Sequence, residues 1–160
     1  MEYSAKITNG KVTPQFEIYA AFNKRKSWVK KQKEARTAEI LAHEQAHFDI
    51  AEITARKLRK ALLNETYSRN NLEEKINKIY QETIQAGDAM QAQYDEESDH
   101  GLNKPQQLQW LKRVERELME LADYARWSKK SCVALKSASG LLGYGSGGIA
   151  KPGTCADSSR

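Results

Sequence analysis

The stretch Thr37-Ala38-Glu39-Ile40-Leu41-Ala42-His43-Glu44-Gln45-Ala46-His47-Phe48 carries a His-Glu-x-x-His pattern inside sequence of helical character. Residues four apart share one face of a helix, so His43 and His47 can direct two imidazole nitrogens at a single point. Glu44 stands beside them, where a carboxylate can take a proton from an activated water. The pairing predicts a metal site with zinc as its ion, His43 and His47 as ligands and Glu44 as general base. The competing reading is a pair of surface histidines flanking a glutamate on an ordinary helix.

Working outward, Thr37 is a suitable N-cap and Glu39 is favourable in the first turn, so the helix is expected to run from Thr37 to about Leu63 and stop near Asn64. At about 100° per residue, Ile40, His43, His47, Ala51, Thr54 and Leu58 project to one side, which turns the metal pair inward. A second helix is expected after Asn70 or Asn71, each followed three positions on by a glutamate as a capping box requires. Its apolar stripe is Leu72, Ile76, Ile79, Thr83, Met90 and Tyr94, the stripe of a packed helix. Gly87 weakens its middle and allows close packing. The segment Asp95 to Gly101 breaks the pattern. A third helix follows Asn103, which pairs with Gln106 in a second capping box, with Pro105 in the first turn. Leu108, Leu111, Val114, Leu118, Leu121 and Ala125 form its buried stripe, with the end near Trp127.

Upstream, Tyr3, Ala5 and Ile7 alternate with polar residues before Asn9-Gly10, and Phe16, Ile18, Ala20 and Phe22 alternate again. Two period-two runs around Asn-Gly predict a β-hairpin with one buried face, with Pro14 at or beyond its edge. An edge strand of such a hairpin is a candidate for aligning an extended peptide. The fold class is therefore α+β and mainly helical, a small antiparallel hairpin packed on three helices. Residues 1–130 form one domain. Residues 131–160 are rich in Ser and Gly (Gly145-Ser146-Gly147-Gly148), lack periodicity and read as a poorly ordered tail.

The chain has 160 residues, enough for one domain with a real core. The formal charge of +5 comes from 26 basic and 21 acidic residues, mostly dispersed, with one cluster at Lys24-Arg25-Lys26 and Lys30-Lys31-Gln32-Lys33. Without the aromatic and Gly interleaving of a nucleic-acid motif, that cluster reads as a solvated basic face, and no nucleic-acid partner is expected. No apolar run reaches membrane-spanning length, and the first residues do not show the charged-then-apolar pattern expected of a signal peptide. Cys132 and Cys155 are the only cysteines. They fit either one disulfide outside the cytosol or two thiols in the tail.

A catalytic zinc site normally has three protein ligands and one open position. The chain has three histidines, so His100 is the leading third ligand, and Gly101 allows a sharp turn just after it. Asp49 and Glu52 point away from the histidine pair on helical geometry, while Glu73, Glu74, Glu82 and Asp88 are not excluded by spacing. Tyr94 is a candidate oxyanion donor, with a core tyrosine as the competing reading.

Three separated elements, Ser27-Trp28-Val29, then Leu41 through Glu52, then Tyr94-Asp95 with His100-Gly101-Leu102 and the later Gln107 and Trp110, resemble a bacterial family of predicted secreted zinc-dependent proteases, common in Bacteroidetes. The resemblance covers roughly Tyr3 to Leu121. It implies a zincin-like fold, His43 and His47 as ligands with His100 from a Tyr-Asp-x-x-Thr-x-His-Gly element, and Glu44 as base. Ser98 stands where that element has Thr. The resemblance also implies a secreted or periplasmic protein, and an upstream strand and export signal that this chain lacks, so its sheet is expected to be incomplete. The function expected is a zinc-dependent metallopeptidase acting on a peptide or protein substrate. The alternative is a catalytically silent zinc-containing binding or structural domain.

Overall fold

A computed structural model describes residues 1–9, 11–25, 27 and 37–125. Trp28-Val29, the basic run from Lys30 to Lys33, the expected helix end at Trp127, both cysteines and the tail from 131 lie outside the described residues. The order is β1 (Glu2–Thr8), β2 (Lys11–Glu17), α1 (Ala38–Asn64), α2 (Leu72–Ser98), α3 (Lys104–Glu120) and a 3₁₀ turn at Ala122–Tyr124. The architecture is α+β and mainly helical, as the periodicities require. No helix among the described residues is long and apolar enough to cross a membrane.

The hairpin is antiparallel, with Ile7 opposite Val12, Ala5 opposite Pro14 and Tyr3 opposite Phe16. Asn9 takes φ 49°, the left-handed conformation that a two-residue hairpin connection demands. β2 begins earlier than the alternation from Phe16 suggests, and Pro14 sits within it. A two-stranded sheet consists only of edges, so a missing N–H is tolerated there. The expected buried face is largely absent: every residue of β1 is exposed, and Val12 is the one buried residue of β2. The hairpin is held instead by residues at and beyond the end of β2. The Phe16 ring lies 6.2 Å from that of Tyr67. Ile18 joins Ala55, Leu58, Leu62 and Ile76 in an apolar cluster, and the buried Arg59 donates to the Ile18 carbonyl at 2.6 Å.

α1 is capped as expected, with Thr37 Oγ1 accepting from the Ile40 amide. Its buried face is broader than one stripe because α2 and α3 both pack against it. Ala46, Ile50, Ile53, Leu58 and Leu62 carry that burial, together with His43, whereas Ile40 is turned largely to solvent. At the start of α2, Asn71 makes no side-chain cap to the helix; its carbonyl oxygen accepts from Ser68 and closes the preceding turn instead. Asn103 does cap α3, accepting from Gln106. α3 ends at Glu120, short of Trp127. Its inward residues are Gln107, Trp110 and Val114, with Leu121 just beyond, while Leu108 is exposed. The helix turns this way because Trp110 packs on Tyr94, their rings 5.4 Å apart.

α1 and α2 run antiparallel and approach most closely at Gly87. A Cβ there would meet Thr54 Oγ1 at 2.6 Å and Cγ2 at 2.7 Å. Gly87→Ala should therefore destabilise the fold by about 1–3 kcal/mol through overpacking, despite alanine's better helix propensity. Urea denaturation should show most of that cost relieved in a Thr54→Ala background; an equal cost in both backgrounds would contradict the contact.

α3 is tied to α1 through Glu117, which pairs with Lys57 at 2.7 Å and with Arg113 at 3.1 Å. Burial pushes the Glu117 carboxyl up, but the bonds and charges of Lys57 and Arg113 outweigh it and hold the group below its ordinary value. A carboxyl lowered in the folded state adds stability above its unfolded pKa and loses it as pH falls through the folded value. Glu117→Gln should cost up to about 1 kcal/mol at pH 7, given the partial exposure. The difference from wild type should shrink to nothing in acid, and denaturation midpoints across pH would test this.

Candidate metal centre

The N-terminal half of α1 meets the C-terminal end of α2 and the first turn of α3, and the three histidines of the chain gather there. His43 is buried and His47 half-buried. Their Nε2 atoms lie 3.1 Å apart, and both face Asp95 Oδ1, at 3.2 Å from His43 and 2.9 Å from His47. His100 brings its Nδ1 to 3.5 Å from the same oxygen. His43, Asp95 and His100 each present a ligand atom within 4.8 Å of the other two, the arrangement a metal ion needs.

What holds the rings decides which nitrogen carries the proton. Gln91 donates its amide N–H to the His47 backbone carbonyl at 2.9 Å. That bond fixes the amide orientation, so Gln91 Oε1 accepts from His47 Nδ1 at 2.6 Å. His43 Nδ1 lies 3.3 Å from Gln107 Oε1, which also accepts from the Tyr94 hydroxyl at 2.8 Å. With its Nδ1 donating to Gln91, the His47 ring turns Nε2 toward Asp95; the His43 ring turns Nε2 the same way, while the Gln107 amide nitrogen beside it is buried without a partner. Asp95 Oδ1 is itself buried and has no hydrogen-bond partner. Ring nitrogens and a carboxylate oxygen packed together repel one another unless a proton or a metal cation lies between them. The residues present therefore fit a zinc ion, whose ligand histidines characteristically donate through the other ring nitrogen.

The turn after α2 shapes the third side of the centre. The helix continues through Asp95 to Ser98, so the expected break at Asp95 falls four residues later. Asp99 and His100 adopt φ 49° and 50°, and Gly101 φ 85°. The His100 amide donates to the Asp95 carbonyl at 3.0 Å, and Asn103 and Gly101 donate to the Ser98 carbonyl. Left-handed backbone at a histidine is costly, of order 1 kcal/mol or more. Here it leaves the His100 side chain 75% exposed, with Nδ1 facing Asp95. Ser98, fully buried, also accepts from the Gly101 amide through its hydroxyl.

Glu44 is exposed on α1. It is near enough for its charge to act on the Tyr94 hydroxyl, whose pKa is raised chiefly by burial and further by the Asp95 and Glu44 carboxylates, against the lowering effect of the Gln107 bond. Tyr94 is fully buried, stacked 4.7 Å from the His43 ring, and is a core residue that supports the site. Of the rival carboxylates, Asp49 accepts from Gln45, Glu52 is paired with Arg56 and Arg59, and Glu73, Glu74, Glu82 and Asp88 are exposed. None of them belongs to the cluster of ligand atoms. Asp95 does: the resemblance includes Tyr94-Asp95 and Gln107 without giving Asp95 or Gln107 a role at the site, and Gln91 was overlooked. The available signal was the helical spacing of Gln91 and Asp95, which shares the i, i+4 step of His43 and His47.

A cavity of about 270 Å³ lies along the same two helices, lined by Ala51, Thr54, Ile84 and Gln91 and roofed by Ile18 to Ala20. It shares Gln91 with the centre. Ile18 packs on Leu58 and Leu62, and with Met1, which precedes β1, it also lines this cavity.

Residues 4–101 match a family described as bacterial proteins of unknown function (DUF922). The match takes in more than half of the chain, including His43, Glu44, His47, Asp95 and His100, and the chain belongs to that family. Neither a curated protein nor a solved structure matches it.

Gly101 is bound to this geometry twice, by its φ of 85° and by space, since a Cβ would sit 3.3 Å from the His43 ring. Gly101→Ala should cost about 1–2 kcal/mol and displace the His43 ring. Denaturation together with histidine ring resonances in NMR would check this; an unshifted His43 signal at unchanged stability would contradict it.

Proposed function

We propose that this protein is a zinc-dependent peptidase. The observation that supports it best is the gathering of His43, His47 and His100 around Asp95 Oδ1, beside the exposed carboxylate of Glu44. His43 and His47 would hold the ion through Nε2 and His100 through Nδ1. When bound, zinc supplies a Lewis acid that polarises a carbonyl and acidifies water.

The chain's own residues do the rest. Gln91 holds the His47 ring in the tautomer that leaves Nε2 free, and Gln107 sits against Nδ1 of His43. Tyr94 fills the space beneath His43 and His47 and keeps bulk water out from below. Glu44, next to His43 yet open to solvent, accepts the proton of the attacking water and returns it to the leaving amine. The cavity beside Gln91 falls just under the usual 300–1,000 Å³ of small-molecule sites. It has room for a side chain of a peptide substrate and not for a large organic cofactor. A secreted or periplasmic setting belongs to this proposal and rests on the resemblance alone.

The second reading is a zinc domain without turnover, in which the ion clamps α1 to the turn after α2. It is favoured by one observation, the Asp95 carboxylate lying among the histidines. Two measurements separate the readings. Protein prepared without a polyhistidine tag should carry about one zinc per chain, lost to a chelator and bound more weakly as pH falls, because protons compete for the ring nitrogens. Glu44→Gln should keep the zinc while cleavage of a peptide library falls by about 10²–10⁴. A folded protein free of zinc would exclude both readings, and zinc without cleavage would select the second.

A further inference from the structure

The geometry points to Asp95 as a fourth protein donor: with His43, His47 and His100 it closes a tetrahedral zinc site, so that the resting centre has no open position. This rests on the zinc reading above and specifies how that site is regulated.

Donors bonded to zinc at about 2.0–2.1 Å in a tetrahedron lie about 3.3–3.4 Å from one another. Four of the six separations are of that size: His43 to His47 at 3.1 Å, and Asp95 to His43, His47 and His100 at 3.2, 2.9 and 3.5 Å; the group whose ligand atoms all lie within 4.8 Å of one another is His43, Asp95 and His100, without His47. Asp95 Oδ1 thus occupies the place of a vertex. Its own state argues the same way, for it is buried and without a hydrogen-bond partner. A buried carboxylate oxygen facing two ring nitrogens is strongly unfavourable unless a proton or a metal cation lies between them, and a metal satisfies all of these donors at once. Asp95 and His100 are also one unit, because the His100 amide donates to the Asp95 carbonyl. The turn that aims His100 therefore fixes Asp95 as well.

The closure is reversible in principle. About a third of the Asp95 side chain is exposed, so the carboxylate has a route to solvent that the buried His43 ring lacks. Four protein donors make a closed site, whereas hydrolysis needs one position free. Substrate or a partner must then displace Asp95 before Glu44 has a water to act upon.

Cobalt(II) replaces zinc and reports coordination by its visible spectrum, with azide as the probe of an open position. The full chain loaded with cobalt should give an intense tetrahedral spectrum that millimolar azide leaves unchanged. Asp95→Ala should bind cobalt more weakly, by more than the about 10–100-fold typical of losing an outer-shell partner, and should acquire an azide-dependent band. Asp95→Asn, which keeps the shape, serves if the alanine variant does not fold. A wild-type spectrum that already responds to azide would overturn the proposal while leaving the zinc reading intact. A wild-type chain that takes up no cobalt and no zinc would overturn both.

Discussion

The close antiparallel packing of α1 on α2 is the constraint on which the rest depends. At Gly87 the α2 backbone lies so near the Thr54 side chain of α1 that no Cβ fits between them. That contact fixes the relative rise of the helices. One turn further along α2, Gln91 reaches the His47 ring and its carbonyl, and a second turn brings Asp95 opposite both histidines. The third helix completes the arrangement by setting Gln107 against His43 and Trp110 against Tyr94. The candidate centre thus stands on rigid elements, supported by side chains that are themselves held.

The elements were legible from the sequence where a local cause dominates. Thr37 and Asn103 cap their helices because a hydroxyl or amide oxygen at that position can reach an amide in the first turn. Gly101 was readable from the need for left-handed backbone. The histidines were readable because the i, i+4 step already brings two side chains together. Long-range packing decides what was missed. The Asn71 cap is lost to a turn contact with Ser68. Leu108 is exposed because Trp110 and Gln107 have partners across the domain. The hairpin face is bare because the anchor is Ile18, one residue past the strand, with Arg59 holding its carbonyl.

Asp95 illustrates the same limit at the site. In the sequence it is one of several acidic residues at the end of a polar helix. The Tyr-Asp element marks it, but its role shows only when α2 is laid against α1 and its oxygen falls among three ring nitrogens. Gln91 is similar, since a glutamine on a helix carries no signal of its own. Residues that bind are announced by type, whereas residues that orient them are identified by what they touch. The choice between an open catalytic ion and a closed clamp rests on this second group.

The central claim is that an ion sits between His43, His47 and His100. Anomalous diffraction from crystals of the zinc-loaded protein, collected on both sides of the zinc absorption edge, tests it directly. The account predicts one peak per chain, about 2.0–2.2 Å from His43 Nε2, His47 Nε2 and His100 Nδ1. A peak bound elsewhere, or one touching the two helical histidines with His100 turned to solvent, would contradict it.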